Sequence, residues 1–196
     1  MSQKAKIIVL DYNPEWAEQF NDLKKVLTNH LGNDIIGVEH VGSTAIPGMK
    51  AKSVIDLDII IDKDGASLAG VILKLKELGY THRGNLGITG REAFKRKDST
   101  TPNVGSDKQW MAHHLYVCTE GSIGLLNHLK LRDHLLAHPD KVIEYSNLKQ
   151  DLSYRFPYDI DAYMDGKTDF IVGILAIMLR EGKDTEVISG ENKLGT

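Results

Sequence analysis

The chain has one cysteine, Cys118, so no disulfide can form within it, and a reducing cytoplasmic setting is expected. It has no surplus of either charge. With 24 Lys and Arg against 27 Asp and Glu, the formal net charge is -3, and that balance argues against a long nucleic acid as partner, which needs a basic surface. No apolar run approaches the ~20 residues that cross a bilayer. Met1 to Lys6 is polar and carries no apolar secretory segment. No internal repeat or low-complexity stretch interrupts the 196 residues. These absences leave a soluble, cytoplasmic globular protein, long enough for a real core.

Apolar periodicity supplies the elements. Ile7 to Leu10 reads as a first strand. Asn13 caps a helix that Pro14 opens, with Trp16, Phe20, Leu23 and Leu27 on its core face and Gly32 at its end. Ile35 to Val41 and Val54 to Ile61 read as strands, and Asp64-Gly65 opens a helix carrying Leu68, Ile72, Leu75 and Leu78. Tyr80 to Arg83, Arg91 to Lys95 and His113 to Cys118 are three further short strands, and polar Lys97 to Gln109 is the expected mobile loop. The remainder is helical. Leu125, Leu126, Leu129 and Leu136 are expected to share one helix face, and Pro139 starts the next helix. Phe170, Ile171, Ile174, Leu175 and Met178 form the strongest apolar stripe, which suits a core and can also serve a homodimer. Strands first and helices last predict an α+β fold. The reading is one domain over residues 1–182, with a sheet core at about 5–118, a helical portion at about 121–182, and a flexible tail over 183–196.

One stretch concentrates the chemistry. Gly42-Ser43 makes a turn, and Asp56 and Asp58 follow on a strand rich in β-branched residues. Side chains alternate along a strand, so the two acids share a face. Buried and ionised, they are costly unless a cation lies between them. Mg²⁺ (or Mn²⁺) suits this, because it takes one or two carboxylates together with phosphate oxygens of a substrate. A glycine lets backbone approach a ligand closely, and turn N–H groups with the Ser43 hydroxyl can cradle a phosphate. Residues 44–55 are enough chain to fold the turn back beside the acids. Plainer readings exist. An Asp-x-Asp pair is commonly a solvent-facing edge, Ser43 can cap the next element, and Lys50 and Lys52 can be surface lysines or can neutralise phosphate. Arg91, Lys95 and Arg96 can clamp a triphosphate or end a solvated strand.

Other motifs are weaker. His113 and His114 point to opposite faces, so they cannot share one metal. His134 and His138 have i, i+4 spacing but lack the glutamate of a zinc-protease motif, and a structural or surface role is expected for them and for His128. Cys118 has no local charge partner, which predicts a buried structural thiol. A P-loop fails, because Met49 follows Gly48 and a strand comes next.

Gly-Ser, a dozen residues, then Asp-hydrophobic-Asp-hydrophobic resembles the signature of the nucleotidyltransferase superfamily. Glu39-His40-Val41-Gly42-Ser43-Thr44-Ala45-Ile46-Pro47-Gly48 resembles the hallmark of the GrpB (UPF0157-type) family, a branch of it. The likeness extends through Asn13-Pro14-Glu15-Trp16, Gly79-Tyr80, Gly90-Arg91-Glu92, His114-Leu115-Tyr116-Val117, Arg132-Asp133 and Gly166-Lys167-Thr168. It implies a nucleotidyltransferase-like mixed sheet flanked by helices, with Ser43 on phosphate and Asp56 and Asp58 as Mg²⁺ ligands. Gly42, Ser43, Lys52, Arg91 and Arg96 are the candidate phosphate-binding residues. Asp56, Asp58 and His114 are the candidate catalytic ones. The superfamily usually adds a third carboxylate from a later strand, but here that strand reads His113-His114-Leu115-Tyr116. His114 can stand in as base or metal ligand, and Glu39 and Glu92 are other candidates. The implied activity is Mg²⁺-dependent transfer of a nucleotidyl group from an NTP to an acceptor hydroxyl. The alternative is a protein that binds a nucleotide or other phosphorylated ligand without turning it over.

Overall fold

The computed structural model describes residues 5–182, with side chains as far as residue 178. The expected tail at 183–196 lies outside the described residues. Helix α1 (Glu15–Leu31) starts where Asn13 Oδ1 accepts the Glu15 N–H at 3.0 Å, and Glu15 and Glu18 place negative charge at its positive end. It ends at Gly32, whose φ of 60° suits a residue without Cβ. Strands β1 (Gly37–Val41), β2 (Ile55–Ile61), β3 (Tyr80–His82), β4 (Arg91–Arg96) and β5 (His113–Thr119) form one sheet in the order β1-β2-β5-β4-β3. β2 and β5 run parallel and the other pairs antiparallel, so the sheet is mixed.

Alternation gives the sheet two different faces. Val38, Ile55, Leu57, Ile59, Ile61, Phe94, Leu115 and Val117 point one way. They pack against Trp16, Phe20, Leu23, Leu27 and Leu31 of α1 and against Val71 and Leu75 of α2 (Leu68–Glu77). Each such side chain buried contributes roughly 1.5–3 kcal/mol before chain entropy is counted. The other face carries Asp56, Asp58, His114 and Tyr116. It meets the C-terminal helices α3 (Ile123–Ala137), α4 (Pro139–Arg155), α5 (Ile160–Asp165) and α6 (Thr168–Gly182). Ile46 and Met49, in the loop after the Gly-Ser turn, join Leu135, Val142, Tyr145 and Ile174 in a second core. The turn is thereby clamped between sheet and helices.

Two expected elements differ. Ile7 to Leu10 is not a strand: Leu10 makes one bridge with Ala51, and Ile7 N–H donates to the Pro157 carbonyl. Its main-chain bonds go to two separate segments, so no ladder can propagate. On α3, Leu125 and Leu135 are buried but Leu126 and Leu136 are exposed. The six leucines of that helix are spread around it, and the inward face is claimed by His128 and Arg132, which pair with acids of the sheet. Phe170, Ile171, Ile174 and Met178 do pack inward as a stripe. Among the described residues no helix is long and apolar enough to cross a membrane.

Candidate functional site

β1 pairs antiparallel with β2, so Val41 stands opposite Asp56 and Glu39 opposite Asp58. Gly42 follows with φ +69°, and a Cβ there would overlap Asp56 Oδ2 and stand 3.0 Å from Asp56 Cβ and Cγ. Only a glycine fits, for conformation and for space alike. A strap fixes this geometry from behind. His40 Nε2 donates to Thr44 Oγ1 at 3.0 Å, and Thr44 Oγ1 donates to the Val54 carbonyl at 3.4 Å, tying β1, the turn and the start of β2 together. The His40 ring stacks on Phe20, and burial pulls its pKa down to about 4, so it stays neutral.

Each aspartate is engaged by a histidine. Asp56 Oδ1 accepts from His114 Nδ1 at 2.8 Å, its neighbour across β2 and β5. Asp58 is fully buried and its Oδ2 accepts from His128 Nδ1 at 2.8 Å, reached from α3. Asp58 Oδ1 is buried with no hydrogen-bond partner. A buried carboxylate oxygen without a donor is costly, and a divalent cation is the ligand that would relieve it. Among the described residues no three His, Cys, Asp or Glu side chains converge as a closed metal site. Mg²⁺ does not need that, since waters and substrate oxygens fill most of its shell. The donor set fits a hard cation held by Asp56 and Asp58.

A cavity of about 220 Å³ lies between this face and the helices, lined on its polar side by Gly42, Ser43, Asp56, His128, Arg132 and Lys167. Lys149 of α4 donates through Nζ to Ser43 Oγ at 2.8 Å. Burial pulls its pKa down to about 7, with the Lys167 charge acting the same way and Asp56 opposing both. Lys167 is lowered to about 8 by burial and then by Lys52. Lys52 and Lys167 both sit over the Tyr163 ring, at 5.6 and 5.0 Å. Two depressed ammonium groups beside a serine hydroxyl make a site that gains from an anion.

The predicted residues therefore separate. Gly42, Ser43, Asp56, Asp58 and His114 come together, with Lys52 at the margin through Lys167. Arg91 lies on the same face but stacks over Tyr116 at 4.7 Å, with its Nε buried and unpartnered. Arg96 points to the opposite face and donates to the carbonyls of Trp110 and Met111. Glu92 is also on the far face, bonded to His82 at 2.6 Å. Glu39 is on the near face, but Arg132 holds it at 2.6 Å. His113, as its neighbour's opposite, is buried on the far side against the Tyr80 hydroxyl at 2.7 Å, and Cys118 is buried with its thiol pKa pushed up by burial.

Sequence reasoning undervalued His128 and missed Lys149 and Arg132. A signal existed. Val142, Tyr145, Ser146, Lys149 and Leu152 are the buried positions of α4 at helical spacing, so Lys149 is a charge within a stripe that is otherwise uncharged. His128 lies at the same kind of position between Leu125 and Leu135.

The profile of the GrpB protein family matches residues 6–176. YqkA, a UPF0157 protein of Bacillus subtilis, is 35% identical over 168 residues, which are 86% of this chain and 46% of YqkA, so the match spans about half of that protein's length. The crystal structure of conserved protein GrpB from Enterococcus faecalis superposes with a TM-score of 0.74 at 29% identity, covering 90% of this chain and all of that one. More distantly, a structure of Cid1, described as an RNA terminal uridylyl transferase, gives a TM-score of 0.44 at 13% identity over 72% of this chain and 42% of that one.

Proposed function

The chain belongs to the GrpB family, and we propose that it binds an NTP and transfers its nucleotidyl group to an acceptor hydroxyl. The observation that carries this is the packing of Gly42 on Asp56, which sets a phosphate-cradling turn against a carboxylate able to hold a cation. Asp56 and Asp58 would hold Mg²⁺ or Mn²⁺, which supplies charge neutralisation at the phosphates when bound. The turn N–H groups, the Ser43 hydroxyl, Lys149 and Lys167 bind the phosphate oxygens and offset the charge that develops there. The acceptor oxygen attacks the α-phosphorus, the bond to the bridging oxygen of the β-phosphate breaks, and pyrophosphate leaves. His114 takes the acceptor's proton. Its Nδ1–H is committed to Asp56, so Nε2 is the free basic nitrogen on a half-exposed ring.

A second reading is binding of a phosphorylated ligand without turnover. It is favoured by β5, which sets His114 and no acid beside Asp56, and by the engagement of both aspartates by histidines. Incubation with each NTP, Mg²⁺ and a panel of hydroxyl compounds, followed by pyrophosphate release, tests the first reading. Release supports transfer. Tight NTP binding with no release under any acceptor supports the second.

A further inference from the structure

A second, wider concavity opens on the other side of His114 and Tyr116. It is a groove of about 680 Å³ where the start of β2, the end of β4 and the start of β5 meet. That size falls in the range of roughly 300–1,000 Å³ usual for small-molecule sites. Its floor is apolar, with Val54, Phe94 and Ala112. Its rim is cationic, with Arg83, Lys95, Arg96 and Lys97. Arg83, Lys95 and Lys97 make no ion pair among the described residues. The one carboxylate of the groove, Asp98, accepts from the Thr100 N–H at 2.9 Å and the Thr100 hydroxyl at 2.7 Å, and the Lys97 and Arg96 charges act on it weakly beside those bonds. Leu86, half exposed, sits on the rim with a φ of +49°, a conformation a branched residue rarely holds.

Three cations without an ion pair, Arg83, Lys95 and Lys97, around an apolar floor suit an anionic group on a flat apolar body, because the cations offer charge-assisted bonds and the floor gains from burial, whereas Arg96 is already held by the Trp110 and Met111 carbonyls. We propose that this groove is a second ligand site for a small phosphate monoester with an apolar body. Resting on the transfer reading above, it would be the acceptor's site. The shared wall supports that role, since His114 borders the groove and is bonded to Asp56, which lines the phosphate cavity. An acceptor hydroxyl in the groove would face the free His114 nitrogen. The overall charge of -3 favours a small ligand over a nucleic acid here.

Phenyl phosphate, with neutral benzyl alcohol beside it, is a direct probe, followed by amide shifts in NMR titrations. Phenyl phosphate should move Leu86 and Lys97 and bind far more tightly than benzyl alcohol. Lys95→Ser with Lys97→Ser should weaken it about tenfold, an energy of about 1.4 kcal/mol. Its affinity should be the same with and without Mg²⁺, because the aspartate pair is not among the groove's lining. The proposal is overturned if the shifts appear at Gly42 and Ser43 instead, if the lysine variant binds as well as the parent, or if benzyl alcohol matches phenyl phosphate. It is also overturned if a short single-stranded RNA moves the Leu86 and Lys97 signals and phenyl phosphate does not. Groove binding together with absent pyrophosphate release would sink the transfer reading and leave the ligand site standing.

Discussion

Gly42 lies directly against Asp56: the space a Cβ would need is filled by the carboxylate, and the backbone there holds a φ of +69°. Gly42→Ala therefore meets strain and overlap together. We expect a loss of about 1–3 kcal/mol, seen as a Tm lower by several degrees at about 2–4 °C per kcal/mol, together with weaker NTP binding. Calorimetric melting checks the first, and an unchanged Tm would mean that the turn is free to move off the acid.

Lys149 sets a pH dependence. Its pKa is about 7 in the folded protein against the ordinary 10.5 of a solvated lysine. The folded pKa is the lower, so between these limits the unfolded chain binds more protons, and stability rises with pH across that window. Lys149→Met removes a buried charge. It should be more stable than the parent at pH 6, on the order of 1 kcal/mol, and the difference should close towards pH 10. Urea denaturation at pH 6, 8 and 10 measures this. Pyrophosphate should raise the parent's Tm more at pH 6.5 than at pH 9.5, because the anion meets charged lysines at the lower pH.

Acid sensitivity follows from His40 and His113, both lowered by burial from 6.5 to about 4. Folding keeps them neutral, so stability falls as pH drops from about 6.5 and levels off below about 4. His113→Gln is expected to be less stable at pH 7, because it gives up the bond to the Tyr80 hydroxyl. Its decline between pH 6.5 and 4 should nonetheless be shallower than the parent's. Denaturant midpoints across that range check the slope.

His114→Ala should separate chemistry from binding. Losing a general base lowers turnover by about 10²–10⁴, while NTP affinity, which rests on the cation between the aspartates, the turn and the lysines, should change little. Single-turnover pyrophosphate release, with calorimetric binding beside it, tests this pair of outcomes.

The fold was legible where local chemistry and tertiary packing agree. Asn13, Pro14 and Gly32 mark α1 because caps and breakers act within a few residues, and β2 is visible because its β-branched run is also its buried run. Ile7 to Leu10 misled because an apolar tetrad looks like a strand whether or not a partner strand lies beside it. The α3 leucines misled because six leucines on one helix define no unique face, and the true face was chosen by charges on the sheet. At the site, the coming together of Gly42, Ser43, Asp56 and Asp58 was expected from their spacing together with the family resemblance, since an Asp-x-Asp pair alone reads as well as a solvent-facing edge. Lys149 and His128 reach it from helices distant in sequence, and they showed only as polar residues inside apolar stripes. Arg96 was misplaced by parity: one residue along β4 decides which face a side chain meets.

The central claim is that Asp56 and Asp58 hold the cation that brings an NTP to the Gly42-Ser43 turn. Isothermal titration of each NTP, with and without Mg²⁺, into the parent and into Asp56→Asn with Asp58→Asn tests it most directly. The parent should bind at least one NTP only when Mg²⁺ is present, and the variant, with an unchanged circular dichroism spectrum, should bind none. Mg²⁺-dependent binding of undiminished affinity in the variant would contradict it.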